Sequence, residues 1–229
     1  MTINGKTFNN ASSVTINGVA ATFTVDTSIR IRVTVPSGAT TGKIRVTTPG
    51  GTATSATNFT VLSTVAPTVD GIVRDFPADG TPDVTIGDVT VEVLASVGGQ
   101  GAPPMAERGI LEFGLAGVTQ PVVGASLVLP VWASLGPFPF QVDVYGYAGD
   151  GLLTLTDWSR GTLITSFQYS GEQTVTIDVT QFLSTAIANG YAFAGFNLRF
   201  SVPSPIPVNG PFIALRSLEL PPSATLRVD

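Results

Sequence analysis

The chain contains no cysteine and no histidine among its 229 residues. Without cysteine there is no disulfide framework and no thiolate chemistry, so the fold depends on packing and hydrogen bonds. Without histidine there is no Ser-His-Asp triad, the commonest general base is missing, and nearly all zinc sites are excluded. Charge is also scarce. Charged residues make up 12% of the chain, only two of them are lysines, and the net charge is −5. With no basic cluster, phosphate neutralisation cannot drive nucleic-acid binding, and an anionic membrane has nothing to attract. Long apolar runs are missing as well. The most apolar region, residues 118–140, is interrupted by Pro121, Pro130, Pro137 and Pro139, which favours strands over a membrane span.

What remains is Val, Ala, Leu and Ile set among Thr and Gly, with 25 glycines, 17 prolines and a mean hydropathy of +0.36. That composition belongs to an all-β protein with many tight turns. Met1 runs straight into TINGKTF, with neither a charged n-region nor an apolar h-region. The start therefore reads as a fragment boundary or as a protein assembled without secretion.

Residues 1–63 read as short strands. Asn17-Gly18 between VTI and VAATF is a strong hairpin signal, because a type I′ turn needs two residues that tolerate positive φ. Ile29, Ile31, Val33 and Val35 alternate with polar partners, and Pro49-Gly50-Gly51 makes a turn. FNNASSVTINGVAATF followed by VPSGATTGKIRVTTPGGTATSATNFTV resembles the TIG (IPT) family of immunoglobulin-like domains. That resemblance implies a β-sandwich used as a spacer or interaction module. Family members usually have a further strand ahead of the segment matching Thr2-Ile3-Asn4-Gly5. Thr2, Ile3, Asn4, Lys6 and Phe8 are therefore expected to form an uncovered sheet edge that pairs with another subunit.

Residues 63–67 read as a short linker, and the pattern changes in residues 67–229. ERGILEFGL places Gly109, Leu111, Phe113 and Leu115 on one face and Arg108, Ile110 and Glu112 on the other, which reads as a solvated polar face. A helix is expected at about Gln181 to Asn189, with Thr180 as N-cap and Gly190 as the C-terminal stop. ERGILEFGL, GASLVL, VDVYGYAGDG, IDVTQFL and GFNLRF, in that order, resemble the DNRLRE family of jelly-roll domains and related repeats of exported bacterial surface proteins. The resemblance implies an extracellular surface setting, polysaccharide binding in some members and bound calcium in some structures. The expected fold is thus all-β, an Ig-like β-sandwich followed by a larger antiparallel jelly-roll sandwich with one short helix.

The densest acidic and aromatic stretch is VDVYGYAGDGLLTLTDW, residues 142–158, which reads as two strands around Gly149-Asp150-Gly151. Asp143, Asp150 and Asp157 could supply oxygens to Ca²⁺, as could Asp79, Asp83 and Asp88 in ADGTPDVTIGD. The alternative is that they are turn and capping residues. Trp132, Phe138, Phe140, Tyr145, Tyr147 and Trp158 could include a sugar-stacking platform, with Phe138 and Phe140 favoured by their flanking prolines. The alternative for each is core packing. No pair of carboxylates is marked for glycoside hydrolysis, and catalysis is not expected.

Two functions compete for this non-catalytic, surface-displayed protein. One is a subunit of an outer assembly, such as a virion decoration or fibre protein or a cell-surface layer, with other protein subunits as partners. The other is a carbohydrate-binding accessory module of a secreted enzyme or adhesin, with a polysaccharide as partner. Neither involves nucleic acid or membrane insertion, and Ca²⁺ is the one cofactor considered.

Overall fold

The computed structural model describes residues 1–36, 38–87, 91–97, 103–118, 121–135, 139–171, 173–200, 211–215 and 222–229. The chain is all-β and antiparallel and divides into two compact units, Met1–Ser63 with Asp229, and Thr64–Val228.

Unit 1 holds β1 (Thr2–Asn4), β2 (Ser13–Ile16), β3 (Val19–Ala20), β4 (Phe23–Thr27), β5 (Arg30–Val33), β6 (Ile44–Thr48) and β7 (Gly51–Thr54). They form one sheet in the order β1-β5-β4 and a second in the order β3-β2-β6-β7. Asn17 and Gly18 both take positive φ, +45° and +86°, and close the β2–β3 hairpin with Ile16 opposite Val19. Phe8, Val14, Ile16, Ile31, Val33 and Val46 form the core of this unit. Phe8 was expected on the sheet edge. It is buried instead, because the chain leaves β1 at Gly5, whose N–H donates to the Ile29 carbonyl, and turns inward. Lys6 is exposed beyond the end of β1.

The segment expected as a plain linker carries β8 (Ser63–Val65). Then come β9 (Val69–Asp75), β10 (Val84–Gly87), β11 (Val91–Val97), β12 (Pro104–Gly114), β13 (Ala125–Leu135), β14 (Phe140–Gly149), β15 (Thr162–Tyr169) and β16 (Thr174–Asp178). The helix α1 (Thr180–Ala188), β17 (Phe193–Phe200), β18 (Phe212–Leu215) and β19 (Thr225–Val228) complete unit 2. The helix starts one residue earlier than expected because Asp178 Oδ1, not Thr180, receives the leading N–H, at 2.9 Å from Thr180 N. Gly190 follows the helix at φ +72°, as a C-terminal stop requires.

The two eleven-residue strands organise this sheet. β12 pairs with β9 along one edge; along the other it pairs first with β11 and then with β17. β13 similarly meets β16 on one side, and β19 and then β18 on the other. The inward positions of both strands, Leu111, Phe113, Leu127 and Leu129, pack with Val142, Val144, Phe196, Leu198 and Leu183 into one core, consistent with a β-sandwich.

Candidate functional site

The outward positions of β12, β17 and β14 are where the sequence-predicted residues fall. Core residues alternate along each strand, so the opposite face carries Arg108, Ile110 and Glu112 from β12, Asn197 and Arg199 from β17, and Tyr145 and Tyr147 from β14. Part of this face is not solvated as expected. Ile110 and Glu112 are fully buried, and Ile110 packs with Val73 and Trp158.

The cover is residues 150–160. Leu153 to Trp158, expected as a strand, does not pair into the sheet; Leu155–Trp158 winds into a short 3-10 turn. The reason is local. Asp157 Oδ2 takes the Thr154 N–H at 2.7 Å and the Thr154 hydroxyl at 3.1 Å, which closes the turn against an extended path.

Several bonds clasp this turn to the sheet. Asn197, fully buried, donates from Nδ2 to the carbonyls of Asp157 and Trp158, and its Oδ1 accepts Arg199 Nε at 3.0 Å. Glu112 Oε2 accepts the N–H groups of Gly151 at 2.7 Å and Asp150 at 3.1 Å. Arg160 donates to Asp150 at 2.9 Å, to Asp157 at 3.0 Å and to the Ala148 carbonyl at 2.7 Å. Burial works to lower the Arg160 pKa, but its bonds to Asp157 and Asp150 outweigh that and raise it. Two glycines make room for the clasp. A Cβ at Gly149 would come within 2.7 Å of the Glu112 carboxyl, and one at Gly195 within 2.4 Å of the Tyr147 ring.

The three aspartates of this stretch are therefore not gathered around one point. Asp150 and Asp157 share Arg160, whose guanidinium stands where a cation would neutralise them. Asp143 lies on β14 and accepts from Ser166 at 2.6 Å and Gln141 at 2.8 Å. In the second acidic group, Asp79 Oδ1 takes the Thr81 N–H at 2.9 Å and Asp83 Oδ2 the Phe76 N–H at 2.7 Å, the bonds of turn residues. Asp88 lies outside the described residues. Among those residues, no group of three or more acidic side chains is arranged to hold a metal ion.

The favoured aromatic platform also comes out differently. Phe138 lies outside the described residues. Phe140 is not an exposed loop residue; it begins β14 and packs 5.4 Å from Tyr169 and 5.1 Å from Phe200, ring centroid to ring centroid. Tyr147 and Trp158 are buried. Trp158 is capped by Arg108 at 3.8 Å, Tyr145 by Arg199 at 3.8 Å, and Tyr147 by Arg160 at 4.7 Å.

Trp132 is the exception, with 57% of its surface exposed. Its exposure has a structural cause. β13 pairs Val131 with Leu215 and Ala133 with Ala214, so Trp132 is the extra residue of a β-bulge. A bulge takes a residue out of the ladder and re-aims its side chain. Gln173, exposed, bonds back to the same place, its carbonyl receiving the Val131 N–H at 2.9 Å, and Leu135 further along β13 is also exposed.

No family model matches this chain, and no curated protein does. Solved structures overlap it weakly. The surface glycan-binding protein SGBP-B from a complex xyloglucan utilization locus in Bacteroides uniformis is 16% identical, with 100% of this chain and 66% of that chain covered at a TM-score of 0.24. SGBP-B of the Bacteroides ovatus mixed-linkage glucan utilization locus, in complex with a mixed-linkage heptasaccharide, is 10% identical, with 100% and 69% covered at a TM-score of 0.23. Overlaps of that size assign this chain neither a fold nor a ligand. No helix among the described residues is long and apolar enough to cross a membrane.

Proposed function

We propose that unit 2 is a non-catalytic carbohydrate-binding module of a surface-displayed protein and that Trp132 is its stacking platform. The observation that carries this reading is Trp132 itself, a large aromatic taken out of its ladder by a bulge and left exposed. An exposed indole face takes the apolar face of a pyranose ring, while polar neighbours such as Gln173 and Thr174 can orient its hydroxyls. The absence of catalysis is supported by where the buried carboxylates are spent. Glu107 pairs with Arg74, Asp157 with Arg160, Glu112 with backbone N–H groups and Asp75 with the N–H groups of Asp79 and Gly80, so these four are tied into the fold rather than set as an acid–base pair.

Affinity electrophoresis against a panel of soluble polysaccharides tests the reading. At least one should retard the wild type, and Trp132→Ala should abolish the retardation with the melting temperature unchanged. A panel that retards nothing, or a Trp132→Ala variant retarded like the wild type, refutes it.

One observation favours a second reading, a subunit of a surface assembly. β1 ends the order β1-β5-β4, and bonds at Met1 and Gly5 turn alternate residues toward β5. Thr2 and Asn4 thus direct their backbone groups away from it. The opposite edge strand, β4, is broken by a bulge at Asp26, whereas β1 pairs in regular register. If the Thr2 and Asn4 amides of the isolated monomer are already protected from hydrogen exchange, this reading fails.

A further inference from the structure

Arg108 and Arg199 stand out among the charges of unit 2. The register Gly109 opposite Leu198 sets them next to each other across β12 and β17, on the outward face. Like charges across a strand pair repel. Both side chains are half-buried, where a charge is normally given a partner. The ion pairs among the described residues are Arg32–Asp26, Arg74–Glu107 and Arg160 with Asp150 and Asp157, and none includes Arg108 or Arg199. Asp75 attracts Arg108, and Asp143, opposite Arg199 across β14 and β17, attracts Arg199, but neither forms an ion pair with them among the described residues, and both accept hydrogen bonds from other groups. Asp75 caps the N–H groups of Asp79 at 3.2 Å and Gly80 at 2.8 Å, and Asp143 receives Ser166 and Gln141.

The two guanidinium groups are nevertheless held in place. Arg108 lies over the Trp158 ring and donates Nη1 to the Trp158 carbonyl. Arg199 lies over the Tyr145 ring, donates Nε to Asn197 Oδ1 at 3.0 Å and Nη2 to the Arg160 carbonyl at 2.5 Å. Each guanidinium has five N–H donors, so most of those on Arg108 and some on Arg199 remain for another acceptor. Burial, and then the neighbouring Arg199, pulls the Arg108 pKa down to about 10, which leaves it charged at neutral pH.

We infer that Arg108 and Arg199 form a preorganised binding site for an anionic group, a carboxylate or sulfate ester, carried on a sugar. A guanidinium fork matches the paired oxygens of such a group, and the group's charge relieves the repulsion between the two arginines. The choice of a sugar as carrier rests on the carbohydrate reading above; the anion site itself rests on the arginine pair. The net charge of −5 works against long-range attraction of a polyanion, so recognition depends on short-range contact.

The test is affinity electrophoresis of the whole chain against three polymers: a uronic-acid polymer, the same polymer after carboxyl reduction, and a sulfated polymer of neutral sugars. The wild type is expected to bind the uronate polymer or the sulfated polymer at least tenfold more tightly than the reduced one, and which of the two binds identifies the anion. Arg199→Gln should lower binding of the charged polymer to the level of the reduced one. Because Arg199 also bonds the Arg160 carbonyl, Arg199→Lys is the companion variant. It keeps the charge and the stem over Tyr145 but loses the fork, and should weaken binding severalfold with the fold intact. Binding of the reduced polymer equal to that of both charged ones overturns the anion site and leaves the carbohydrate reading standing. Unchanged binding of the charged polymer by Arg199→Lys also overturns it. No retardation by any of the three, in a protein that the wider neutral panel does retard through Trp132, overturns the anion site alone. Failure of both panels overturns the two proposals together.

Discussion

Replacing Glu112 by Gln probes the clasp at its most buried carboxyl. Glu112 has no exposed surface, and its Oε1 and the nearby Tyr147 hydroxyl have no hydrogen-bond partner among the described residues, while Oε2 accepts from Gly151 and Asp150. Burial raises the Glu112 pKa. The Gly151 N–H opposes this, and Asp150 and Asp157 add to it. The sign for an acid follows from linkage. With the folded pKa above the unfolded one, the folded state binds more protons between the two values. Stability is then highest below the ordinary carboxylate pKa of about 4.3 and is lost as pH climbs toward the raised folded value. Gln keeps an acceptor for Gly151 and Asp150, adds an N–H donor for the Tyr147 oxygen and cannot ionise. Satisfying such buried groups is worth about 1–3 kcal/mol. In a domain of this size that is a rise of roughly 2–12 °C in Tm at pH 7.5. Paired thermal unfolding of wild type and Glu112→Gln by circular dichroism, from pH 4 to pH 8, reads it out. The difference between the two curves removes the titration of carboxylates common to both. The gap should be widest near neutrality and close toward pH 4. A variant that melts below the wild type at pH 7.5, or a gap that does not change with pH, would refute the reasoning.

Two further outcomes follow from the same cluster. Arg160→Met leaves the fully buried Asp157 carboxylate without its cation; because Arg160 is itself 29% exposed, the loss should be at the low end for a broken buried pair, about 2–4 kcal/mol in chemical denaturation, and a loss within about 0.5 kcal/mol, the range of ordinary surface substitutions, would contradict it. Melting in EDTA and in millimolar calcium should coincide, since Arg160 already neutralises Asp150 and Asp157; a calcium-dependent rise would mean that a cation binds the native state after all.

The all-β class and most strands were legible because their signals are local. Asn17-Gly18 closes a hairpin through backbone conformation alone, and ERGILEFGL separates its two faces by simple alternation. Gly190 stops the helix through its positive φ. The errors share a different origin. Leu153 and Leu155 alternate with threonines as a strand would, but the bonds from Asp157 to Thr154 wind the segment into a turn. A side chain reaching back three residues leaves no mark on hydrophobic periodicity.

The same limit explains the candidate sites. Alternation shows which residues share a face, but not what lies over that face. Arg108 and Glu112 occupy equivalent outward positions of β12, and nothing within ERGILEFGL distinguishes them. The distinction is made by residues 150–160, which fold back over Glu112 and Ile110 and leave the Arg108 end half-open. Tyr147 and Trp158 are buried by this cover. Trp132 escapes burial through a bulge whose only local hint is Pro130, which has no N–H to give the ladder two residues earlier. Concentration of aspartate and aromatics in one stretch therefore marks the place where the chain clasps itself. The groups we propose for a ligand lie outside that clasp's own pairings: an indole taken out of its ladder by a bulge, and two neighbouring arginines that share no ion pair among the described residues.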